Sequence, residues 1–266
     1  MKARLHIDGV GFAAPGLPTA EALRGHLEGA PFAPEAEWKP MPASLARRQA
    51  LRLSEATRVA IMAAEQIAAA LPADCPWVFA SSTGEGGTLN EILLALRSDP
   101  IMIQPLRFQN AVHNAAQGNW SIAAANKGAM TSVAAYDATP GIGFLKAAMQ
   151  ALTDDRPVGL VVFDAPMPPP LHDKRPFGLA MAAAFALSPR RGPESLAALD
   201  LAVVADEEAT APSVSGADPR LADNGNPVRM LLPLLRRIHR PEDGAILLDL
   251  PGSHALRITV SGCRDG

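Results

Sequence analysis

Hydrophobic and polar positions along this chain fall into the two periods that mark strands and helices. Alternation over Arg4–Phe12, with Leu5, Ile7, Val10 and Phe12 among small or polar residues, predicts a first strand. Pro15-Gly16-Leu17-Pro18 ends it. Thr19 then caps a helix whose face is Ala22, Leu23 and Leu27 and whose stop is Gly29. Proline-rich coil follows from Pro31 to Pro42. From about Leu45 to Leu71, apolar residues recur at helical spacing (Leu53, Ala56, Ala60, Ala64, Ile67, Leu71), which predicts one long helix. Arg47, Arg48, Arg52 and Arg58 occupy much of its other face and read either as a solvated face or as an anion or carrier-protein patch.

Trp77–Ser81 reads as a short strand running into the loop Ser81–Gly87, with a leucine-rich helix at Leu89–Leu96. A second helical pattern spans Phe108–Ala125. Thr131–Ala135 predicts a buried strand and Ala138–Leu152 a buried helix behind it. The unbroken apolar run Val158–Phe163 predicts a central strand. Phe177–Leu187 fits a strand or an apolar helix equally, and Leu199–Val204 is a strand candidate. Asp206–Pro227, acidic and rich in alanine and proline, reads as a surface loop or linker. A helix at Val228–His239 and strands near Ala245–Leu250 and Ala255–Val260 close the chain. Alternating strands and helices indicate a layered α/β protein with a mixed sheet.

Composition narrows the function classes. With 48% hydrophobic and 19% charged residues in 266, the chain is a folded globular protein. Its 24 lysines and arginines against 27 acidic residues argue against a nucleic-acid partner. No apolar run reaches the ~18 to 20 residues that span a bilayer, and no signal-peptide pattern opens the chain, so no membrane role and a cytoplasmic location are expected. Cys75 and Cys263 form no CxxC pair, which speaks against a disulfide framework or structural zinc.

Familiar catalytic motifs are missing. Ser82-Thr83-Gly84-Glu85-Gly86-Gly87 has the composition of a phosphate-cradling loop but no lysine at Walker spacing. Gly9-Val10-Gly11 lacks the third glycine of a dinucleotide turn. There is no GxSxG elbow, and His6, His26, His113, His172, His239 and His254 are scattered, so neither a metal nor a cofactor is implied.

Pro105–Ala148 carries the most information. Pro105, Asn114, Gly118, Gly128, Ser132 and Ala147-Ala148 fall at spacings that resemble the β-ketoacyl synthases of the thiolase-like superfamily. Ile7–Phe12 with Pro15-Gly16, Thr19–Gly29, Ser81–Gly87 and Arg175-Pro176-Phe177 extend the resemblance over about residues 4–190. It implies a layered α-β-α fold with one ketosynthase N-terminal half and a reduced C-terminal part: a domain over 1–205, a loop or linker over 206–227, and a helix plus closing strands over 228–266. It also places Asp137 where the family has its cysteine nucleophile. The residue-level alternative for Asp137 is an ordinary N-cap for the helix from Ala138. The second half, which supplies the family's two histidines, is expected to be absent.

The string at residues 111–123 is similar to the short chain length factors of aryl polyene-type biosynthesis. That resemblance implies a catalytically inactive subunit that pairs with an active ketosynthase as a heterodimer, meets acyl carrier protein through that partner, and shapes the acyl pocket in polyene or fatty-acid-type biosynthesis. Candidate pocket or interface residues are His113, Asn114, Asp137, Thr139, Phe144 and Met130, with Ile142, Met149 and Met181 as further acyl-pocket candidates; each apolar one reads equally as plain core, and His113 as a half-buried helix histidine. Two alternatives stay open: a stand-alone hydrolase or decarboxylase using Asp137 and His113 as an acid–base pair, and a homodimeric binding module.

Overall fold

The alternation at the start of the chain forms β1 (Lys2–Ala13), and Thr19 caps α1 (Ala20–Leu27), its Oγ1 accepting from the Ala22 amide. The computed structural model describes residues 2–34, 38–205, 217–240 and 245–262. The long helix expected over 45–71 is broken. It consists of α2 (Arg47–Ala50) and α3 (Glu55–Ile67), because Ser54 Oγ accepts from the Thr57 amide and starts a new helix. Beyond it come β2 (Trp77–Ala80), α4 (Gly86–Ala95), α5 (Pro105–Gln109), α6 (Ala115–Ala123) and β3 (Met130–Val133). The single helix expected over 108–125 is thus two, separated at residues 110–114, where Asn110 closes α5 through its amide and α6 starts afresh.

α7 (Thr139–Asp154), β4 (Val158–Asp164), β5 (Met181–Ser188), β6 (Ala197–Ala205), α8 (Pro219–Ala222), α9 (Leu232–His239), β7 (Ala245–Leu250) and β8 (His254–Gly262) complete the order. Cys263 and residues 206–216 of the expected loop lie outside the described residues. Residues 217–227 are tied to the core: Asn226 is fully buried and donates to the Asp164 and Leu179 carbonyls.

The eight strands form one sheet in the order β3-β2-β4-β5-β1-β6-β8-β7. β2 runs parallel to β3 and β4, and every other pairing is antiparallel. β4 and β5 are buried along their whole length, which is why their sequences lack alternation. In β5, Met181, Ala183, Phe185 and Leu187 enter one core while Ala182, Ala184 and Ala186 enter the other, under α3. Pairing on both sides settles Phe177–Leu187 as containing a strand rather than a helix. β3, expected to be buried, is an edge strand with all four residues half-buried, because only β2 pairs with it.

β1 is shared. Lys2–Ile7 pair with β6, His6–Ala13 pair with β5, and the register shifts at Asp8, whose carboxylate accepts from Ser195 Oγ at 2.6 Å. Helix α7 has strands on two sides. At Gly143 a Cβ would come within 2.8 Å of Ala80 Cβ on β2, and at Gly141 one would strike the Asp249 carbonyl of β7. Because β2 and β7 lie near opposite ends of the strand order, the sheet curls around α7. The outward face of β1, β6 and β8 carries Arg4, Asp200, Arg257 and Thr259 around a shallow depression.

Candidate functional site

Three loops meet at the carboxyl ends of the parallel strands β2, β3 and β4, the end of such sheets where ligands gather. Asp164, the last residue of β4, organises them. It is fully buried, and its carboxylate accepts from Ser81 Oγ (2.8 Å), Ser82 Oγ (2.7 Å), Thr83 Oγ1 (2.9 Å) and the Ser82 and Thr83 amides. Burial pushes its proton affinity above the ordinary aspartate range, and the hydrogen bonds from Ser82, Ser81 and Thr83 oppose that rise. The loop after β2 is therefore folded around one buried carboxylate.

His113 sits across this loop, its ring nitrogen Nε2 3.0 Å from the Ser81 carbonyl. A carbonyl oxygen can only accept, so Nε2 carries the proton and donates it to Ser81. Gly84 adopts φ +53° beneath the ring, where a Cβ would approach His113 Cδ2 at 3.0 Å. Asn114 is exposed at the start of α6 and makes no side-chain cap.

Asp137 lies on the loop after β3 and is two-thirds exposed. Arg175 donates to it at 2.9 Å and to Ser82 Oγ at 3.1 Å through the same Nη2. The Arg175 side chain is only 11% exposed and its guanidinium lies between the Tyr136 ring (3.7 Å to the centroid) and the Phe177 ring (4.9 Å). Tyr136 holds φ +52°, the left-handed region that costs a non-glycine residue strain. The expected N-cap role of Asp137 is not what the chain adopts. α7 starts at Thr139, with Ala138 in the cap position and no side-chain cap, because Arg175 engages the Asp137 carboxylate. Thr139, fully buried, closes the turn instead: its Oγ1 accepts from the Ala135 amide and donates to the Tyr136 carbonyl.

The remaining candidates are dispersed. Phe144 is fully buried and edge-on to Phe185, with ring centroids 4.9 Å apart. Met130 opens β3 opposite Trp77, at the far end of the strand from Asp137. Ile142 is half-buried, Met149 exposed and Met181 buried at the start of β5. Sequence reasoning missed Asp164 and the Ser81–Thr83 hydroxyls. The one available signal was a carboxylate ending an otherwise apolar strand, Val158–Asp164.

The loops thus join His113 and Asp137 through Ser81, Ser82 and Arg175, and give each a different partner. A carboxylate is a far poorer acyl acceptor than a thiolate, and the Asp137 carboxylate is engaged by a guanidinium. Cys75, the cysteine among the described residues, is buried just before β2, and burial pushes its thiol up to about 11. Among the described residues no group of three histidine, cysteine, aspartate or glutamate side chains is placed to hold a metal, and no helix is long and apolar enough to cross a membrane.

A mixed sheet curled around a central helix, with its loops gathered at the ends of three parallel strands, is the thiolase-like layered fold expected from the sequence. The family model for the β-ketoacyl synthase N-terminal domain matches residues 26–242, and the chain belongs to that family. In solved structures it is similar to a chain of the ketosynthase ApeO in complex with its chain length factor ApeC from Xenorhabdus doucetiae. The TM-score is 0.74 at 21% identity, and the match covers 96% of this chain and 98% of that one. It is also similar to a chain of AntDE:AntF, a type II polyketide synthase acyl-carrier protein in complex with its ketosynthase (TM-score 0.72, 13% identity, 98% and 100% covered). The ishigamide ketosynthase/chain length factor matches at TM-score 0.60 and 14% identity, with 77% of this chain and 68% of that one covered. No individually curated protein matches the sequence.

Proposed function

We propose that this chain is a catalytically silent, chain-length-factor-like subunit that pairs with an active ketosynthase in the cytoplasm and shapes the acyl pocket of a polyene- or fatty-acid-type pathway. Acyl chains reach it from carrier protein through the partner. The reading rests on position 137: the family resemblance assigns it to the cysteine nucleophile, and the residue there is a carboxylate bound to Arg175. A thiol at a helix start is favoured as thiolate and attacks thioesters, whereas a carboxylate held by a guanidinium does neither.

Pairing is supported by what surrounds that position. β3 leaves one edge of the sheet without a strand, and exposed edges call for a partner or a cover. Of fourteen large apolar side chains exposed among the described residues, eleven lie between Leu89 and Tyr136, on the excursion linking β2 to β3 and just past it. The acid–base reading of Asp137 and His113 has no comparable support, since each is engaged elsewhere.

Size-exclusion chromatography with light scattering tests the proposal on the chain alone and co-expressed with the ketosynthase encoded beside it. A stable one-to-one complex supports it, and the length of the polyene products should then shift with pocket variants. A well-behaved homodimer that ignores the ketosynthase would overturn it in favour of a second copy on the same edge.

A further inference from the structure

Tyr136 has a backbone conformation that a large side chain rarely adopts. At φ +52° it lies in the left-handed region, and a bulky residue stays there only where the surrounding structure holds it. Thr139 provides that hold. Fully buried, it accepts at Oγ1 from the Ala135 amide (2.9 Å) and donates to the Tyr136 carbonyl (2.6 Å). The ring lies on the Arg175 guanidinium, 3.7 Å from its centroid to Cζ. That guanidinium is itself fixed, since Nη2 donates to Asp137 and to Ser82, and the buried Phe177 ring stands 4.9 Å away. Hydrogen bonds made in its plane leave the faces of a guanidinium to aromatic rings.

None of this buries the ring. Tyr136 remains 60% exposed, so its burial contributes little to folding. Glycine, at home at this φ, would relieve the strain and lose only the contact with Arg175. A ring held outward against strain is accounted for by what lies on its free face. Its location narrows the occupant. Tyr136 follows the edge strand β3 and immediately precedes position 137, which the family resemblance assigns to the nucleophile that carries the acyl chain. The free face is flat and is backed by a positive charge that draws on the ring's π electrons. A conjugated acyl chain is also flat and rich in π electrons, and can lie along such a face. A saturated chain, puckered at every carbon, meets it only at points.

We propose that Tyr136 is a specificity-determining residue of the shared acyl pocket, with the conjugated part of the growing chain lying against its free face. This rests on the pairing reading, and the test separates the two. The purified complex with the ketosynthase would be titrated with parinaric acid, a conjugated tetraene, and with stearic acid, its saturated counterpart of equal length. The conjugated acid should bind about fivefold more tightly. Tyr136→Leu should abolish that preference while the complex stays one-to-one by light scattering, and Tyr136→Phe should keep it. The lengths of the polyene products should shift in Tyr136→Leu and not in Tyr136→Phe. Tyr136→Gly should unfold at a temperature no lower than the unmodified chain, as expected of a ring that does not serve folding. Failure of the two chains to associate would overturn the pairing reading and this assignment together. A one-to-one complex without the preference, or with the preference intact in Tyr136→Leu, would overturn this assignment alone. Loss of the complex in Tyr136→Leu would show that the ketosynthase surface covers the ring, and would overturn it as well.

Discussion

Two open surfaces of this protein are finished in opposite ways. The outward face of β6, β8 and the first half of β1 carries Arg4, Asp200, Arg257 and Thr259, and none of the exposed large apolar side chains lies on β6, β7 or β8. The β3 edge and the excursion before it concentrate such side chains, from Leu89 through Phe108 (69% exposed) and Ile122 (78% exposed) to Tyr136 (60% exposed). A sheet face can be made stable in water by polar substitution, and the first surface has been. The second has not, and the cost of exposing it is met only when something covers it.

The contrast can be broken by placing a charge on each surface. On the proposed pairing, with Ile122 in its interface, Ile122→Glu should weaken association with the ketosynthase about a thousandfold, roughly 4 kcal/mol, because the new carboxylate would be buried unpaired. The stability of the isolated chain should stay within about 0.5 kcal/mol. Thr259→Glu on the other surface should change neither; calorimetric titration and urea unfolding read both. A Thr259→Glu variant that lost association would show that the polar face, too, is an interface.

Asp164→Ala probes what holds the loops beside the apolar surface, and should cost about 3 kcal/mol in urea unfolding, since it strands several buried donors. The pH dependence has a definite sign. Burial raises the folded-state proton affinity of Asp164, so the folded chain holds this proton to higher pH than the unfolded chain. Its contribution to stability is largest below the ordinary aspartate range and falls as pH rises through the raised value. Asp164→Asn should flatten that part of the stability–pH curve.

Smaller effects follow at the two ion pairs. A double-mutant cycle on Asp137 and Arg175 should give a coupling of about 0.5–1 kcal/mol, because the exposed carboxylate is screened while the guanidinium is held by Tyr136 and Phe177. Arg4 and Asp200, 4.0 Å apart and both more than half exposed, should couple by about 0.2 kcal/mol or less in the same experiment. Equal couplings would mean that the network around position 137 is no better ordered than an ordinary surface pair.

What the sequence revealed depended on how local the cause was. Thr19 capping α1 and the alternation of β1 involve near neighbours, and both were readable. The break at Ser54 was missed because the apolar period continues across it through Leu51 and Leu53, and a single hydroxyl outweighed that period. The β5 segment stayed ambiguous because both faces are buried, which erases the strand's alternation. At the site, Asp137 was singled out by the family resemblance. Its bond to Arg175 spans 38 positions and that of Ser81 to Asp164 spans 83, contacts no local pattern announces.

The sharing of β1 between β5 and β6 also bears on how the chain reaches this structure. Ile7 pairs with both Leu187, 180 positions further on, and Ala197. The strand at the middle of the sheet is thus translated well before either neighbour exists. Pairings of such long separation are slow to form, because loop closure must precede any reward. Meanwhile its apolar residues Leu5, Ile7 and Phe12, which share a core with α1 and α7, lack the strands on either side, so the interval before β5 emerges is when this chain is most exposed to aggregation.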